Sequence, residues 1–229
     1  MTPSDRREFL SYAGAGVAAT WLEPSAELLH PMFGEEKLSV ALIGAGRQGR
    51  AILGELATIP ACQLVAVCDS DDTRLQAALR RGGEAVKGYA SASEMLAKEP
   101  TIAAVVIATP THVHKDLVLQ ALAAKKHVYC ETPLASTLDD LSAIAAAARA
   151  STQICAAGFQ ARSNPVYALA RSFHKTGTLR ELAHCRAQNH KKTSWRTAGS
   201  TPERDRELNW HLDPKLSLGL LGELGTQQL

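Results

Sequence analysis

Three glycines stand at the head of the chemistry that this sequence can support. Gly44, Gly46 and Gly49 lie in Gly44-Ala45-Gly46-Arg47-Gln48-Gly49, directly after the apolar run Leu38–Ile43. Ile52, Leu53 and Leu56 then recur at helical spacing, so the glycines occupy a strand-to-helix turn. Each glycine has a separate steric task in such a turn. Gly44 permits the tight reversal, Gly46 lets a pyrophosphate approach the backbone, and Gly49 lets the helix pack close to the strand. The helix start, with Arg47 and Gln48, offers free N–H groups and a partial positive charge to phosphates. A second run, Gln63–Cys68, ends at Asp69, which lies 69 − 49 = 20 residues past the last glycine. A carboxylate there accepts hydrogen bonds from the adenosine ribose and repels a 2′-phosphate, so the expected cofactor is NAD, with NADP the alternative. Asp71 and Asp72 are at hand to cap the following helix, which leaves Asp69 for the ribose.

Two further clusters follow strands at once: Thr109-Pro110-Thr111-His112 and Glu131-Thr132-Pro133. In open parallel sheets ligands collect at the carboxyl ends of the strands, so both clusters are candidate site residues.

The elements that must position these residues alternate along the chain. After the first two strands, Ser91 and Glu94 have capping-box spacing ahead of Met95-Leu96. Ile102–Ala108 reads as a buried strand, His114–Ala124 as a helix, and His127–Cys130 as a short strand. Thr137 and Asp140 form a second capping box before an alanine-rich helix ending near Arg149, and Thr152–Ala156 reads as the sixth strand. Such alternation implies an α/β fold, a doubly wound parallel Rossmann sheet, over residues 36–157. Residues 158–229 follow as a second region.

The chain has 229 residues, 45% of them hydrophobic, enough for one substantial core and part of a second. A net charge of +2 and an aromatic content of 5% speak against a nucleic-acid partner. The cysteines, at positions 62, 68, 130, 155 and 185, form no CxxC pair, and most sit in apolar runs. They read as small buried hydrophobes, with no metal site and no disulfide framework.

Residues 1–33 have the layout of an export leader. Arg6-Arg7-Glu8-Phe9-Leu10 precedes a weakly apolar run, Ala13–Ala19, too short to span a bilayer. The paired arginines resemble the bacterial twin-arginine signal. The expected partner is therefore the twin-arginine export machinery, with cleavage between Ala18 and Phe33 and a periplasmic or otherwise exported destination. A protein that carries a dinucleotide must acquire it in the cytoplasm, and this route carries folded, loaded proteins.

Ala108-Thr109-Pro110-Thr111-His112-Val113-His114, Cys130-Glu131-Thr132-Pro133-Leu134, Gly158-Phe159-Gln160-Ala161-Arg162 and Gly222-Glu223-Leu224-Gly225-Thr226 together resemble the glucose–fructose oxidoreductase, inositol dehydrogenase and rhizopine-catabolism (Gfo/Idh/MocA) family. The resemblance runs over residues 37–229. It implies hydride transfer between a nicotinamide cofactor and a sugar, inositol or related polyol. By position it implies that Thr109, Pro110 and His112 line the adenosine and phosphate channel. Glu131 would then touch the ribose near the nicotinamide, with Gln160 and Arg162 toward the nicotinamide end. Glu223 matches an acidic position of the substrate site.

The sequence departs from that family at two places. Members use the lysine of a Glu-Lys-Pro signature and a histidine four residues past the acidic position, where this chain has Thr132 and Gln227. Neither titrates near neutral pH, and general acid–base catalysis contributes about 10²–10⁴-fold. Replacement groups are sought in Glu223, in His190 and Lys192 beyond an expected strand at Leu182–Gln188, and in Trp210-His211, and Arg162, His190, Lys192 and Trp210 are the expected substrate-binding residues. Against that family the α+β second domain, residues 158–229, is expected to be partial: either a fragment or truncated reading frame, or a compact variant whose self-association covers its exposed sheet. Three functions follow in order: an NAD-dependent oxidoreductase on a sugar-like substrate, a non-catalytic dinucleotide binder, and a glycosidase using NAD for transient oxidation.

Overall fold

The computed structural model describes residues 37–177, 180, 181, 184, 186, 188, 196–219 and 221–226. The leader at 1–33, His190, Lys192 and Gln227 lie outside the described residues, as does most of the strand expected at Leu182–Gln188.

Six strands build one sheet: β1 (Leu38–Ile43), β2 (Cys62–Cys68), β3 (Lys87–Tyr89), β4 (Ala104–Ile107), β5 (His127–Cys130) and β6 (Cys155–Ala157). Their order is β3-β2-β1-β4-β5-β6, and every neighbouring pair is parallel. The helices that intervene are α1 (Arg47–Leu56), α2 (Asp72–Gly82), α3 (Ala92–Lys98), α4 (His114–Ala123) and α5 (Leu138–Ala150). Beyond β6 come α6 (Gln160–Ser163), α7 (Pro165–Lys175) and α8 (Pro202–Leu208). The strand order reverses between β1 and β4, and that switch point is where an open α/β sheet leaves a crevice.

Both faces of the sheet are covered, as an all-parallel sheet requires. Alternate residues of one strand therefore enter different cores. Ala41 and Ile43 pack with Met95, Ile107, Val118 and Ile144 on one side, whereas Val40 and Leu42 pack with Leu53, Val67, Leu75 and Val106 on the other. Cys68 and Cys130 are buried in the first core, and burial pushes the Cys68 thiol up to about 12 and the Cys130 thiol higher still. These two are protonated apolar fillers, as their apolar surroundings in the sequence suggest.

Local differences from the sequence reading have local causes. The third strand is only Lys87-Gly88-Tyr89, too short and polar to stand out as a run, and it lies at the sheet edge. The Ser91 box does not form: the Ser91 hydroxyl pairs with Ser93 at 2.8 Å, and Glu94 is drawn to Lys98 at 2.7 Å. β6 starts at Cys155 rather than Thr152, because the Ser151 hydroxyl engages both Gln153 N and the Gln153 side chain in a local turn. Thr137 does cap α5, accepting from Asp140 N at 3.1 Å, while the Asp140 carboxylate pairs with Lys115 at 2.8 Å instead of reaching back.

Candidate functional site

The sheet ladder itself lines up the candidate residues. At each strand end, the next backbone N–H donates to the last carbonyl of the neighbouring strand. Gly44 N bonds Cys68 O, Asp69 N bonds Tyr89 O, Ala108 N bonds Ile43 O, Glu131 N bonds Ile107 O, and Gly158 N bonds Cys130 O. Residues scattered over more than a hundred positions thus form one row along the carboxyl edge.

At the centre of the row the three glycines divide their tasks as expected. Gly44 has φ +92°, and a Cβ there would lie 2.8 Å from the Ala108 carbonyl. A Cβ on Gly49 would lie 1.9 Å from Gly44 O, so any side chain would push α1 off the turn. Gly46 differs: a Cβ there would meet nothing within 4 Å. Gly46 is the N-cap of α1, and no side chain caps that helix start. The space is open where unsatisfied N–H groups and the helix dipole favour an anion.

Asp69 is only 8% exposed. Its Oδ2 accepts from Ala45 N at 2.7 Å and its Oδ1 from Asp71 N at 2.9 Å. The carboxylate therefore clamps the glycine turn to the end of β2 in a fixed orientation. Asp71, not Asp69, caps α2, accepting from Arg74 N at 3.0 Å.

The β4 end supplies unsatisfied groups. Thr109 Oγ1 and His112 Nδ1 are buried with no hydrogen-bond partner. Buried polar atoms are normally paired, so these two are available to a polar ligand. Pro110 starts the short 3₁₀ turn Thr111–Val113, and burial lowers the His112 pKa against the opposing pull of Glu223 and Asp213. An open cradle at an uncapped helix, a clamped carboxylate at the end of β2 and orphaned polar atoms fit a dinucleotide. Among the described residues no group of three or more His, Cys, Asp or Glu is gathered as a metal site would need.

The β5 end closes the row. Glu131 Oε1 accepts from Gln48 Nε2 at 3.1 Å and from the Tyr129 hydroxyl at 3.4 Å, bridging α1 to β5. Burial, reinforced by Glu131, pushes the Tyr129 hydroxyl up to about 12, so it remains a donor. Thr132 is buried and donates to Gly158 O at 3.3 Å. Its hydroxyl proton is given to the backbone.

Residues from the C-terminal part reach the same edge. Glu223, in the π-helical turn Leu221–Gly225, accepts from Thr111 Oγ1 at 2.9 Å, Ser217 Oγ at 2.9 Å and Leu218 N at 3.3 Å. Trp210 lies 5.7 Å from His112, ring to ring, at 58°. This contact sets Trp210 beside the turn after β4. Arg47 and Gln160 are exposed, and Arg162 stacks on Phe159 at 4.2 Å. A cavity of about 490 Å³ between Arg196 and Arg206 shares no residue with the row, and Asp205 within it is paired to Arg196.

Sequence reasoning missed His114. It is 1% exposed, with Nδ1 2.8 Å from Pro133 O and Nε2 2.9 Å from Thr109 O. One ring thus joins the turns after β4 and β5, and burial lowers its pKa despite both carbonyls. The signal was present: positions 114, 118, 121 and 122 share one helical face, which is the buried face of α4.

Comparison with known proteins agrees with this geometry. Residues 38–159 match the family described as an oxidoreductase family with an NAD-binding Rossmann fold. An inositol 2-dehydrogenase of Pseudarthrobacter chlorophenolicus is 35% identical over 173 residues, 73% of this chain and 49% of the relative. One from Ralstonia nicotianae is 30% identical over 156 residues, 66% of this chain and 46% of the relative. The crystal structure of myo-inositol 2-dehydrogenase from Lactobacillus plantarum superposes with a TM-score of 0.59 at 28% identity, covering 64% of this chain and 43% of that one. The myo-inositol dehydrogenase of Lactobacillus casei in complex with NAD(H) and myo-inositol gives 0.58 at 29% identity, covering 62% and 42%. The chain spans about half the length of the curated relatives it matches. With its glycine turn, strand order and matched span in agreement, the chain belongs to the Gfo/Idh/MocA family of oxidoreductases.

Proposed function

We propose that the carboxyl edge of the sheet holds NAD and that the protein exchanges a hydride with a hydroxyl-bearing carbon of a sugar, inositol or related polyol. The observation that carries the reading is the open, uncapped helix start at Gly46 beside two orphaned polar atoms, Thr109 Oγ1 and His112 Nδ1. Gly46 and the first turn of α1 would hold the pyrophosphate, Asp69 the adenosine ribose, and Thr109, Pro110, His112, Glu131 and Gln48 the remainder of the channel. When bound, the nicotinamide supplies the hydride-accepting carbon.

Alcohol oxidation also releases a hydroxyl proton. Thr132, an alcohol whose proton is given to Gly158 O, is too weak a base near neutral pH to take it. Glu223 is a carboxylate that the C-terminal part brings to the strand ends, in addition to Asp69 and Glu131 of the sheet itself, and two of its three donors are hydroxyls. A substrate hydroxyl that displaces one of them would present its proton to the carboxylate. The inositol dehydrogenases among the relatives support a polyol as substrate class. The Arg6-Arg7 leader supports export of the folded, loaded protein by the twin-arginine route, and residues 158–229 would open the substrate domain.

The engagement of Thr132 favours one second reading, a dinucleotide binder without turnover. Titration of the protein with NADH and NADPH, followed by nicotinamide fluorescence, tests the common core of both. Saturable binding, tighter for NADH, is expected. A folded protein that binds neither refutes the proposal. Reduction of NAD across a panel of inositols and aldoses then separates enzyme from binder.

A further inference from the structure

The C-terminal segment 196–226 does more than approach the strand ends; it crosses them. At one end, an ion pair joins Arg204 Nη2 to Asp71 Oδ2 in the turn after β2. At the other, Trp210 lies on His112 and Glu223 accepts from Thr111, both in the turn after β4. In the sheet, β2 and β4 flank β1, so the two anchors stand on either side of the glycine turn.

The segment is a built unit. Asn209, 6% exposed, donates to Thr197 O and Asp205 O at 2.7 Å each and accepts from Thr197 N at 2.8 Å. Arg196 pairs with Asp205 at 2.7 Å, and Gly199 N donates to Asp205 Oδ1 at 3.2 Å. What α8 does at one anchor is therefore transmitted to Trp210 two residues past its end.

The Arg204 anchor connects directly to the dinucleotide site. Its other terminal nitrogen donates to Glu207 at 2.9 Å, which fixes the plane of the guanidinium. Asp71 receives that guanidinium while capping α2, and its own N–H donates to Asp69 Oδ1. Asp69 in turn holds Ala45 of the glycine turn. Arg204 is thus linked through Asp71 and Asp69 to the backbone that would bind the pyrophosphate.

We propose that residues 196–226 form the outer wall of the dinucleotide site and that Arg204, acting through Asp71, is the positioning residue that retains the bound dinucleotide. The proposal rests on the NAD reading above. The segment must part from the β2 turn for a dinucleotide to leave, and the Arg204–Asp71 pair is the polar contact that parting breaks.

The test is the release of NADH from the loaded full-length protein, chased with excess NAD in a stopped-flow fluorimeter. Arg204→Ala is expected to speed release about fivefold, the rate equivalent of a partly buried ion pair, with association changed less than twofold. Arg204→Lys keeps the charge and is expected to release within twofold of the parent. Raising salt from low to high is expected to speed release from the parent and not from Arg204→Ala. If Arg204→Ala and the parent release NADH at the same rate, the proposal is overturned while the NAD reading stands. If Arg204→Ala only lowers the melting temperature, or Arg204→Lys fails to rescue release, Arg204 is structural and the proposal is also overturned. If the parent does not bind NADH at all, the NAD reading falls and the proposal with it.

Discussion

Replacing Gly46 with alanine separates binding from folding, and the structure sets the size of both effects. A Cβ at Gly46 would meet no protein atom within 4 Å, and the residue has φ −65°, which alanine adopts freely. Alanine is a poorer N-cap than glycine by about 0.5–1 kcal/mol, and it stiffens the unfolded chain by about 0.4–1 kcal/mol in compensation. The two nearly cancel, so the melting temperature should shift by no more than about 3 °C. The methyl group would, however, stand where a pyrophosphate must meet backbone N–H groups. Losing one or two charge-assisted hydrogen bonds, at about 1.5–3 kcal/mol each, weakens NADH binding at least about tenfold. Gly49→Ala gives the contrast. Its Cβ would sit 1.9 Å from Gly44 O, so α1 must shift, at about 1–3 kcal/mol or more. Thermal unfolding without ligand and NADH titration by fluorescence, run on both variants, decide the matter. If Gly46→Ala binds NADH as the parent does, the pyrophosphate does not lie on this turn and the assignment of the site fails.

Three further outcomes follow from the same geometry. Asp69→Asn removes the charge that repels a 2′-phosphate, so the preference for NADH over NADPH should shrink about tenfold or more; an unchanged ratio in paired titrations would show that Asp69 does not face the ribose. Thr132→Val loses the bond to Gly158 O and should cost about 0.5–1.5 kcal/mol in urea unfolding while leaving NADH affinity within twofold, whereas a loss of turnover with unchanged stability would give Thr132 a chemical role. His112 and His114 have pKa values held below their usual 6.5, so the unfolded chain binds more protons than the folded one once the pH falls below that value. Their stabilisation is complete above pH 6.5 and is lost as the pH falls toward their folded-state values. The lowered carboxylates Asp71, Glu99 and Asp140 act only nearer pH 4. The melting temperature should therefore fall between pH 7 and 5, and a His114→Gln variant should show a shallower fall; equal slopes would exclude His114 as a source.

The sequence by itself determined whatever depends on neighbours along the chain. Glycine is required at 44 by its positive φ and at 49 by the close approach to Gly44 O, both within one turn, and Asp69 follows from the fixed length of a strand–helix–strand unit. The Thr137 cap and the two-sided burial of β1 are of the same kind. The weak points were also local competitions, as where the Ser151 turn shortened β6 and Lys98 drew Glu94 away from Ser91. Tertiary structure decided the rest. His114 spans two carbonyls because β4 and β5 are adjacent, and nothing in the spacing of residues 109, 114 and 133 shows that adjacency. Arg204 meets Asp71, and Glu223 meets Thr111, across 133 and 112 positions respectively. A polar side chain in a sequence reads as solvated by default, because hydrophobic periodicity reports only which face is buried. Which distant partner satisfies it depends on strand order and on the path of the crossing segment, and both are properties of the folded chain alone.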